Sequence, residues 1–315
     1  MLVQLTKRTL LLLASLVLAS VLVFWFLSVL PGDPAQVALG TGATPEAVAE
    51  MQERFGTDRP LTVQYLDWVS GLPVGDFGVS YVTGATIGPL IVDRLMVSLW
   101  LVGAGMLVAL VIAVPLGTLS AVHHRRPLGT VLAGVSQVGI AIPNFLAGIL
   151  LIGLVAVSWR LLPAGGWVPP AQDPVEFLRR LLLPALALGI IEGAVLARYV
   201  RSTVLNVLRE DFLRTARAKG LTPARALVRH GLRNAAVPVV TILGLQLAVL
   251  LVGAVVVERV FVIPGLGSLL LDGVANRDLL LVQGVVMVLV LAVLLLNYLV
   301  DVLYTALDPR LRAAA

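Results

Sequence analysis

The sequence predicts an all-α, polytopic membrane protein with six transmembrane helices, and two observations support this prediction. Of the 315 residues, 59% are hydrophobic and only 13% are charged, whereas soluble domains are about half apolar and about a quarter charged. In addition, six apolar runs reach the roughly 20 residues that a helix needs to cross a bilayer. They lie approximately at 10–30, 96–122, 131–159, 181–200, 239–257 and 285–303.

The first run is interpreted as a retained helix rather than as a signal peptide. Lys7 and Arg8 precede it, as basic residues precede a signal core. The apolar run is longer than the roughly 7 to 15 residues of such a core, and no small-residue cleavage site closes it. Residues 1–30 are therefore expected to form an N-terminal cytoplasmic tip and transmembrane helix 1.

The charges of the connecting segments predict the orientation. Basic residues cluster before the first run, at 123–126 and at 198–233, where nine Lys or Arg occur. Such ends are expected in the cytoplasm. The segment 31–93 instead carries eight acidic residues, and only Arg54 and Arg59 oppose them there. The segment 31–95 is therefore expected outside, and an even number of spans leaves both termini in the cytoplasm.

Local signals predict order within this extracytoplasmic segment. Thr44 and Pro45 are typical of a helix N-cap and first helical residue, and Gly56 of a helix end. A second short helix fits residues 61–69, and turns follow over 71–81. The remaining residues, 96–315, are expected to form a core domain of five transmembrane helices.

Prolines interrupt three of the apolar runs, at Pro115, Pro143 and Pro184. Each removes a backbone donor and is expected to kink its helix. Kinks favour a moving bundle over a plain anchor, but they also occur in static multispan proteins, so both interpretations stay open.

The most basic stretch predicts two short helices that meet at a corner. A helix over 208–219 is expected to stop at Gly220, and Thr222 and Pro223 are expected to start a second basic helix over 224–236. Phe212, Leu213 and Leu221 are expected to be exposed near the corner. Such a corner is suited either to anionic lipid head groups or to a cleft in a cytoplasmic partner.

At residues 210–221, Glu-Asp-Phe-Leu-Arg-Thr-Ala-Arg-Ala-Lys-Gly-Leu, the sequence resembles the coupling loop of binding-protein-dependent ABC importer permeases of the dipeptide/oligopeptide/nickel family. The long outer segment is similar to that of the B-type subunit. One departure is Arg214-Thr215-Ala216 in place of the general Glu-Ala-Ala. Further resembling motifs are Pro-Gly-Asp-Pro at 31–34, Gly-Asp-Phe-Gly at 75–78, Ile-Pro-Asn-Phe-Leu at 142–146, Val-Glu-Arg-Val-Phe at 257–261, Pro-Gly-Leu-Gly at 264–267, Asn-Tyr-Leu-Val-Asp at 297–301 and Asp-Pro-Arg at 308–310.

The resemblance implies a type I importer permease fold in which a coupling loop at about 203–236 docks in a groove of an ATPase subunit. It implies four partner subunits besides the lipid bilayer: a second (C-type) permease, two ATP-binding subunits and an extracytoplasmic substrate-binding protein. The residues expected to couple the chain to the ATPase are Asp211, Phe212, Arg214, Ala216, Arg217, Ala218, Lys219, Gly220 and Leu221. The expected location is a bacterial or archaeal cytoplasmic (inner) membrane.

The chain itself is not expected to be an enzyme. A P-loop requires a Gly-Lys dipeptide, and the sequence has none. ATP and Mg²⁺ are therefore expected on the partner ATPases, and no cofactor, metal or nucleic acid is expected on this chain. The adjacent His123 and His124 fit a solvated turn better than a metal site.

Three polar residues at membrane depth are candidates for the translocation path: Glu192, Gln246 and Asn297. Glu192 has no basic residue at helical spacing, so its partner is expected on another helix or subunit. It could contact a cationic part of the cargo or belong to a structural hydrogen-bond network. The resemblance further implies an outer gate in the segment that contains Glu258, Phe261, Pro264 and Gly265.

The predicted function is to form half of an import pathway for dipeptides or oligopeptides. Nickel chelates, glutathione and sugar derivatives are alternative cargoes within the family. A channel or secondary transporter that acts alone is the competing class, although no inverted repeat relates the two halves of the sequence.

Overall fold

The computed structural model describes residues 2–29, 33–40 and 42–307, and the all-α prediction is confirmed. The motif residues at 31–32 and 308–310 lie outside the described residues. The helices are α1 (Leu2–Val29), α2 (Pro34–Leu39), α3 (Pro45–Phe55), α4 (Leu61–Gly71), α5 (Ile87–Val122), α6 (Pro127–Ala141), α7 (Asn144–Leu151), α8 (Pro174–Leu208), α9 (Asp211–Ala218), α10 (Pro223–Ala226), α11 (Leu232–Val260), α12 (Leu266–Ala275) and α13 (Leu279–Leu307).

Among the described residues, five helices are long and apolar enough to cross a membrane. The sixth predicted run is a bent pair, Pro127–Ala141 and Asn144–Ser158, whose halves meet at 97°. Counted as one span, this pair completes the six that the sequence predicts. The boundary predicted at residue 95 falls inside α5, and the division of the chain into three domains stays a prediction.

The prediction of a single helix over 131–159 is wrong, and Pro143 gives the physical reason. Ile142 has an extended backbone (φ −88°, ψ 124°), and so does Pro143 (φ −66°, ψ 144°). Proline lacks an N–H donor and disfavours the helical conformation of the residue before it. By contrast, Pro115 and Pro184 lie inside continuous helices.

The structure contains two compact units, which are described separately. The core unit comprises Leu99–Ile263 with parts of both chain ends, and the N-terminal unit comprises Thr6–Ser98 and Pro264–Leu295. In the core unit, α8 is the most buried of the candidate spans. Small residues let it approach α5 closely: a Cβ added at Gly189 would lie 2.5 Å from Val108 Cβ, and one at Gly193 would lie 3.0 Å from Ile112 Cβ.

In the N-terminal unit, aliphatic side chains of α5, α12 and α13 form one cluster around Ile87, Leu266 and Val285, each fully buried. A second cluster joins Phe24 of α1 to Trp68 of α4, with ring centroids 5.9 Å apart. The predicted ends of α3 are confirmed: Thr44 Oγ1 accepts from Ala47 N at 3.3 Å, and Gly56 has a φ of 68°.

A buried carboxylate joins the turn after α4 to the start of α13. Asp278 is 2% exposed. Its carboxylate accepts hydrogen bonds from Ser80 Oγ, from Tyr81 N at 3.3 Å and from Leu281 N at 3.5 Å. The last of these caps the first turn of α13.

Replacing Asp278 by alanine is expected to lower the free energy of unfolding by about 2–4 kcal/mol, because donors are left unpaired in a buried site. Asp58→Ala is the control, since Asp58 is exposed and exposed substitutions usually stay within about 0.5 kcal/mol. Chemical unfolding of both variants in detergent measures the difference. Equal unfolding midpoints for the two variants would show that the hydrogen bonds of Asp278 make no net contribution to the free energy of unfolding.

Candidate functional site

The predicted corner is present, but its first arm is divided. Helix α8 ends at Leu208, and α9 runs only over Asp211–Ala218. Glu210 between them is extended (φ −68°, ψ 143°), so the predicted continuous helix over 208–219 is wrong. Gly220 ends this arm with a φ of 91°, a left-handed conformation that favours glycine.

One face of α9 is anchored to the protein. Leu213 is 3% exposed and Ala216 is 8% exposed, and their spacing of three residues places them on the same side of the helix. The side chain of Leu213 lies next to Gly231, where an added Cβ would be 3.5 Å from Leu213 Cδ1 and 3.2 Å from Val207 Cγ1. The prediction that Leu213 is exposed is therefore wrong. Ala216, a predicted coupling residue, faces the protein.

The opposite face of α9 is exposed over most of its length. Phe212 is 38% exposed, and Leu221 is half-buried. Arg214 Nη1 lies 3.4 Å from Asp211 Oδ1, and both side chains are exposed. We call the exposed predicted coupling residues the corner surface: Asp211, Phe212, Arg214, Arg217, Ala218, Lys219 and Gly220.

The second arm of the corner is continuous with a candidate span. Thr222 Oγ1 accepts from Arg225 N at 3.4 Å, as the predicted N-cap requires. However, α10 passes through a π-helical turn over Leu227–Gly231 directly into α11. The expected separate helix over 224–236 is thus the first part of one long helical segment. The helical backbone is therefore continuous from the corner into α11.

The sequence interpretation missed the residues that hold the corner. Ala226 and Leu227 are buried, and Gly231 allows close approach of Leu227, Val207 and Leu213. The three- and four-residue spacing of small and apolar residues from 213 to 231 was the available signal.

Two of the three path candidates are in contact. Glu192 of α8 is 6% exposed, and its Oε1 accepts a hydrogen bond from Gln246 Nε2 of α11. The prediction that its partner lies on another helix is confirmed. Asn297 of α13 is half-buried, and its Oδ1 has no hydrogen-bond partner among the described residues. A role for these three residues in the path stays a prediction.

The gate candidates divide between the two units. In the core unit, Glu258 and Phe261 are 1% and 0% exposed. The Phe261 ring packs near Gly148, and its backbone oxygen accepts from Gly166 N at 2.8 Å. In the N-terminal unit, the backbone oxygen of Gly265 accepts from Leu269 N at 3.0 Å, and Pro264 precedes it. The helix that follows, α12, has ten residues and is too short to span a bilayer. Its role as a gate stays a prediction.

The N-terminal unit also contains a cavity of about 470 Å³, which the sequence did not predict, although motif residues at 33–34 and 76–78 line it. Its walls combine aromatic rings with polar groups, among them Trp68, Tyr81, Arg59 and Asp76. Burial raises the pKa of the Tyr81 phenol, the Asp278 carboxylate raises it further, and Arg59 lowers it. Since the ordinary tyrosine pKa is about 10, Tyr81 is neutral at physiological pH.

Sequence comparisons identify the family. The family described as "Binding-protein-dependent transport system inner membrane component" matches residues 113–313, and the N-terminal region of such components matches residues 1–102. The chain is 39% identical, over 97% of both chains, to the glutathione transport system permease protein GsiC of Escherichia coli (strain K12). It is 40% identical, over 97% of both chains, to GsiC of Salmonella typhimurium (strain LT2).

A solved structure supports the fold. The crystal structure of an amino acid ABC transporter with histidines matches 70% of this chain and 94% of its own chain, with a TM-score of 0.51 and 19% sequence identity. ATPase activity in this family lies in separate subunits, so the chain is not an enzyme. The chain therefore belongs to the binding-protein-dependent transport family and is an inner-membrane permease subunit of an ABC importer of the dipeptide/oligopeptide/nickel branch.

Proposed function

We propose that this permease forms half of a pathway for short peptides, a class that includes the tripeptide glutathione. The observation that carries the proposal is the 39–40% identity with glutathione permeases along 97% of both chains. A binding protein would deliver the cargo to a cavity between this chain and a second, C-type permease. Both termini would lie in the cytoplasm, where two ATPase subunits bind ATP and Mg²⁺.

The corner surface would dock in a groove of one ATPase subunit. Three features support this proposal: Leu213 and Ala216 fix α9 to the chain, the opposite face presents Phe212 with basic side chains, and the second arm continues into α11. An apolar contact surrounded by basic groups is suited to a partner cleft with acidic side chains. Closure of the ATPases would then move α11 against α8.

Competitive uptake into proteoliposomes containing the assembled complex tests the cargo. With a labelled dipeptide as tracer, excess dipeptide and glutathione are expected to compete, and a nickel chelate is not. Uptake is expected to require ATP on the side of the ATPases. Absence of saturable dipeptide uptake, or competition by the chelate as strong as that by glutathione, would contradict the peptide proposal. Uptake without ATP would favour a channel or secondary transporter.

The Glu192–Gln246 pair would line the path and contact an amino group of the cargo. The substitution Glu192→Gln keeps a hydrogen-bonding side chain beside Gln246 but removes the charge. Loss of a charge-assisted hydrogen bond is expected to lower uptake of a peptide with a free amino terminus about tenfold or more. Uptake of the same peptide with an acetylated amino terminus is the matched control.

The comparison of the two peptides separates the roles open to Glu192. A selective loss for the free amine supports contact with the cargo. An equal loss for both peptides, or no loss for either, would assign Glu192 to packing of α8 against α11.

A further inference from the structure

A second polar cavity, of about 120 Å³, lies within the core unit between α5, α6 and α8. Its polar walls are Ser120, Ser136, Gln137, Arg198 and Arg201. No acidic side chain lines it. It is separate from the Glu192–Gln246 pair and from the corner surface.

The guanidinium group of Arg201 is incompletely satisfied at this cavity. Its Nε is buried and has no hydrogen-bond partner among the described residues. Neither Arg201 nor Arg198 forms an ion pair within the described part of the chain. A buried donor of a charged group is costly to leave unpaired, so the site favours an acceptor that carries negative charge.

The other polar groups narrow the chemistry of that acceptor. Ser120 Oγ donates to Gly129 O at 3.2 Å, and Ser136 Oγ donates to Leu132 O at 3.3 Å. The hydroxyl protons of both serines are thus used within the chain. The remaining donors are the two guanidinium groups and the Gln137 amide, a set that fits the several oxygen atoms of one oxyanion.

The location of the cavity and its guanidinium groups indicate a phosphate group. Ser120 precedes the turn at 123–126, whose two arginines place it at the cytoplasmic face by the positive-inside rule. Basic pockets between membrane helices on this side bind phosphate-bearing head groups, and guanidinium groups match phosphate geometry. We propose that Arg201, Arg198 and Gln137 bind the phosphate group of an anion in this cavity, either a phospholipid head group or a free phosphate.

Two measurements on the full chain, purified with the subunits that it retains, test this proposal. Native mass spectrometry counts phospholipids that survive extensive detergent washing. Thermal unfolding then compares inorganic phosphate with chloride at equal ionic strength. The variants are Arg201→Gln, which removes the donors, and Ala133→Leu, which fills the cavity from α6 without a change in charge. Arg125→Gln is the matched control, because it removes the same charge from an exposed side chain outside the cavity.

One outcome is that the wild type retains phospholipid and that this retention falls about tenfold, or about 1.4 kcal/mol in affinity, in both cavity variants but not in Arg125→Gln. This outcome would assign the site to a lipid head group. A phosphate-specific rise in the unfolding midpoint of washed wild type, lost in both cavity variants, would assign it to free phosphate. If Arg201→Gln does not fold, the result for Ala133→Leu decides between a lipid head group and free phosphate. The proposal is overturned if the wild type shows neither effect, or if Arg125→Gln loses the effect as fully as the cavity variants do.

Discussion

Replacing Gly220 by tryptophan is expected to detach the ATPase subunits from this permease and to abolish ATP-driven uptake. Apart from its two chain neighbours, no atom of the described residues lies within 4 Å of a Cβ built on Gly220, so the indole ring would project from the corner rather than clash with them. In the proposed docking groove it would displace contacts, and lost central contacts at an interface cost about 2–4 kcal/mol. Recovery of ATPase in a detergent pull-down is therefore expected to fall at least about thirtyfold.

Gly220→Ala is the matched control for this experiment. Because φ at Gly220 is 91°, alanine and tryptophan carry the same backbone penalty, of order 1–2 kcal/mol. Only tryptophan adds bulk at the corner surface. Alanine is expected to keep most of the ATPase, and an equal loss in both variants would attribute the effect to the turn conformation. If both variants retain ATPase and uptake, the proposed coupling role of the corner is wrong.

Replacing Gly189 by valine is expected to prevent assembly of the core unit. A Cβ at this position would lie 2.5 Å from Val108 Cβ and 2.7 Å from the backbone oxygen of Gly105. The backbone of α5 cannot move away without separating the two helices, so overpacking of about 1–3 kcal/mol or more is expected. The measurements are the yield of monodisperse protein and its thermal unfolding midpoint in detergent.

Gly103→Val tests whether the effect of Gly189→Val is specific to the helix contact. Gly103 also lies in a helix of the core unit, but beyond its own helix backbone no atom of the described residues lies within 4 Å of a Cβ built there. Valine is a better helix former than glycine by a few tenths of a kcal/mol, so Gly103→Val is expected to be neutral or slightly stabilising. A fully folded Gly189→Val protein would mean that α5 and α8 do not approach as closely as their glycines allow.

Local signals in the sequence were sufficient to predict the conformation of a segment where that conformation depends only on residues within the segment. Thr44 and Gly56 bound α3, and Gly220 and Thr222 bound the corner, because caps and left-handed turns depend on one or two residues. The coupling motif marked the position of the corner for the same reason. Burial within the corner was harder to predict: Leu213 is apolar whether it faces a partner or its own chain, and only the contact with Gly231 assigns it to the interior.

Other features depend on more than one segment. Proline predicted a kink at residue 143, but the 97° bend depends on how the two halves of the span pack, as does the continuity of the helices through Pro115 and Pro184. The partner of Glu192 lies 54 residues away on α11, and the two arginines of the small cavity share its lining with residues of α6.

The sequence by itself determined the membrane spans, their expected orientation, the family and the position of the corner, because hydropathy, charge and turn residues act along the chain. The tertiary structure decided which polar side chains meet, which apolar ones are buried and where Arg201 Nε is left without a hydrogen-bond partner among the described residues. These depend on distances between helices, which small residues such as Gly189 and Gly193 set through packing.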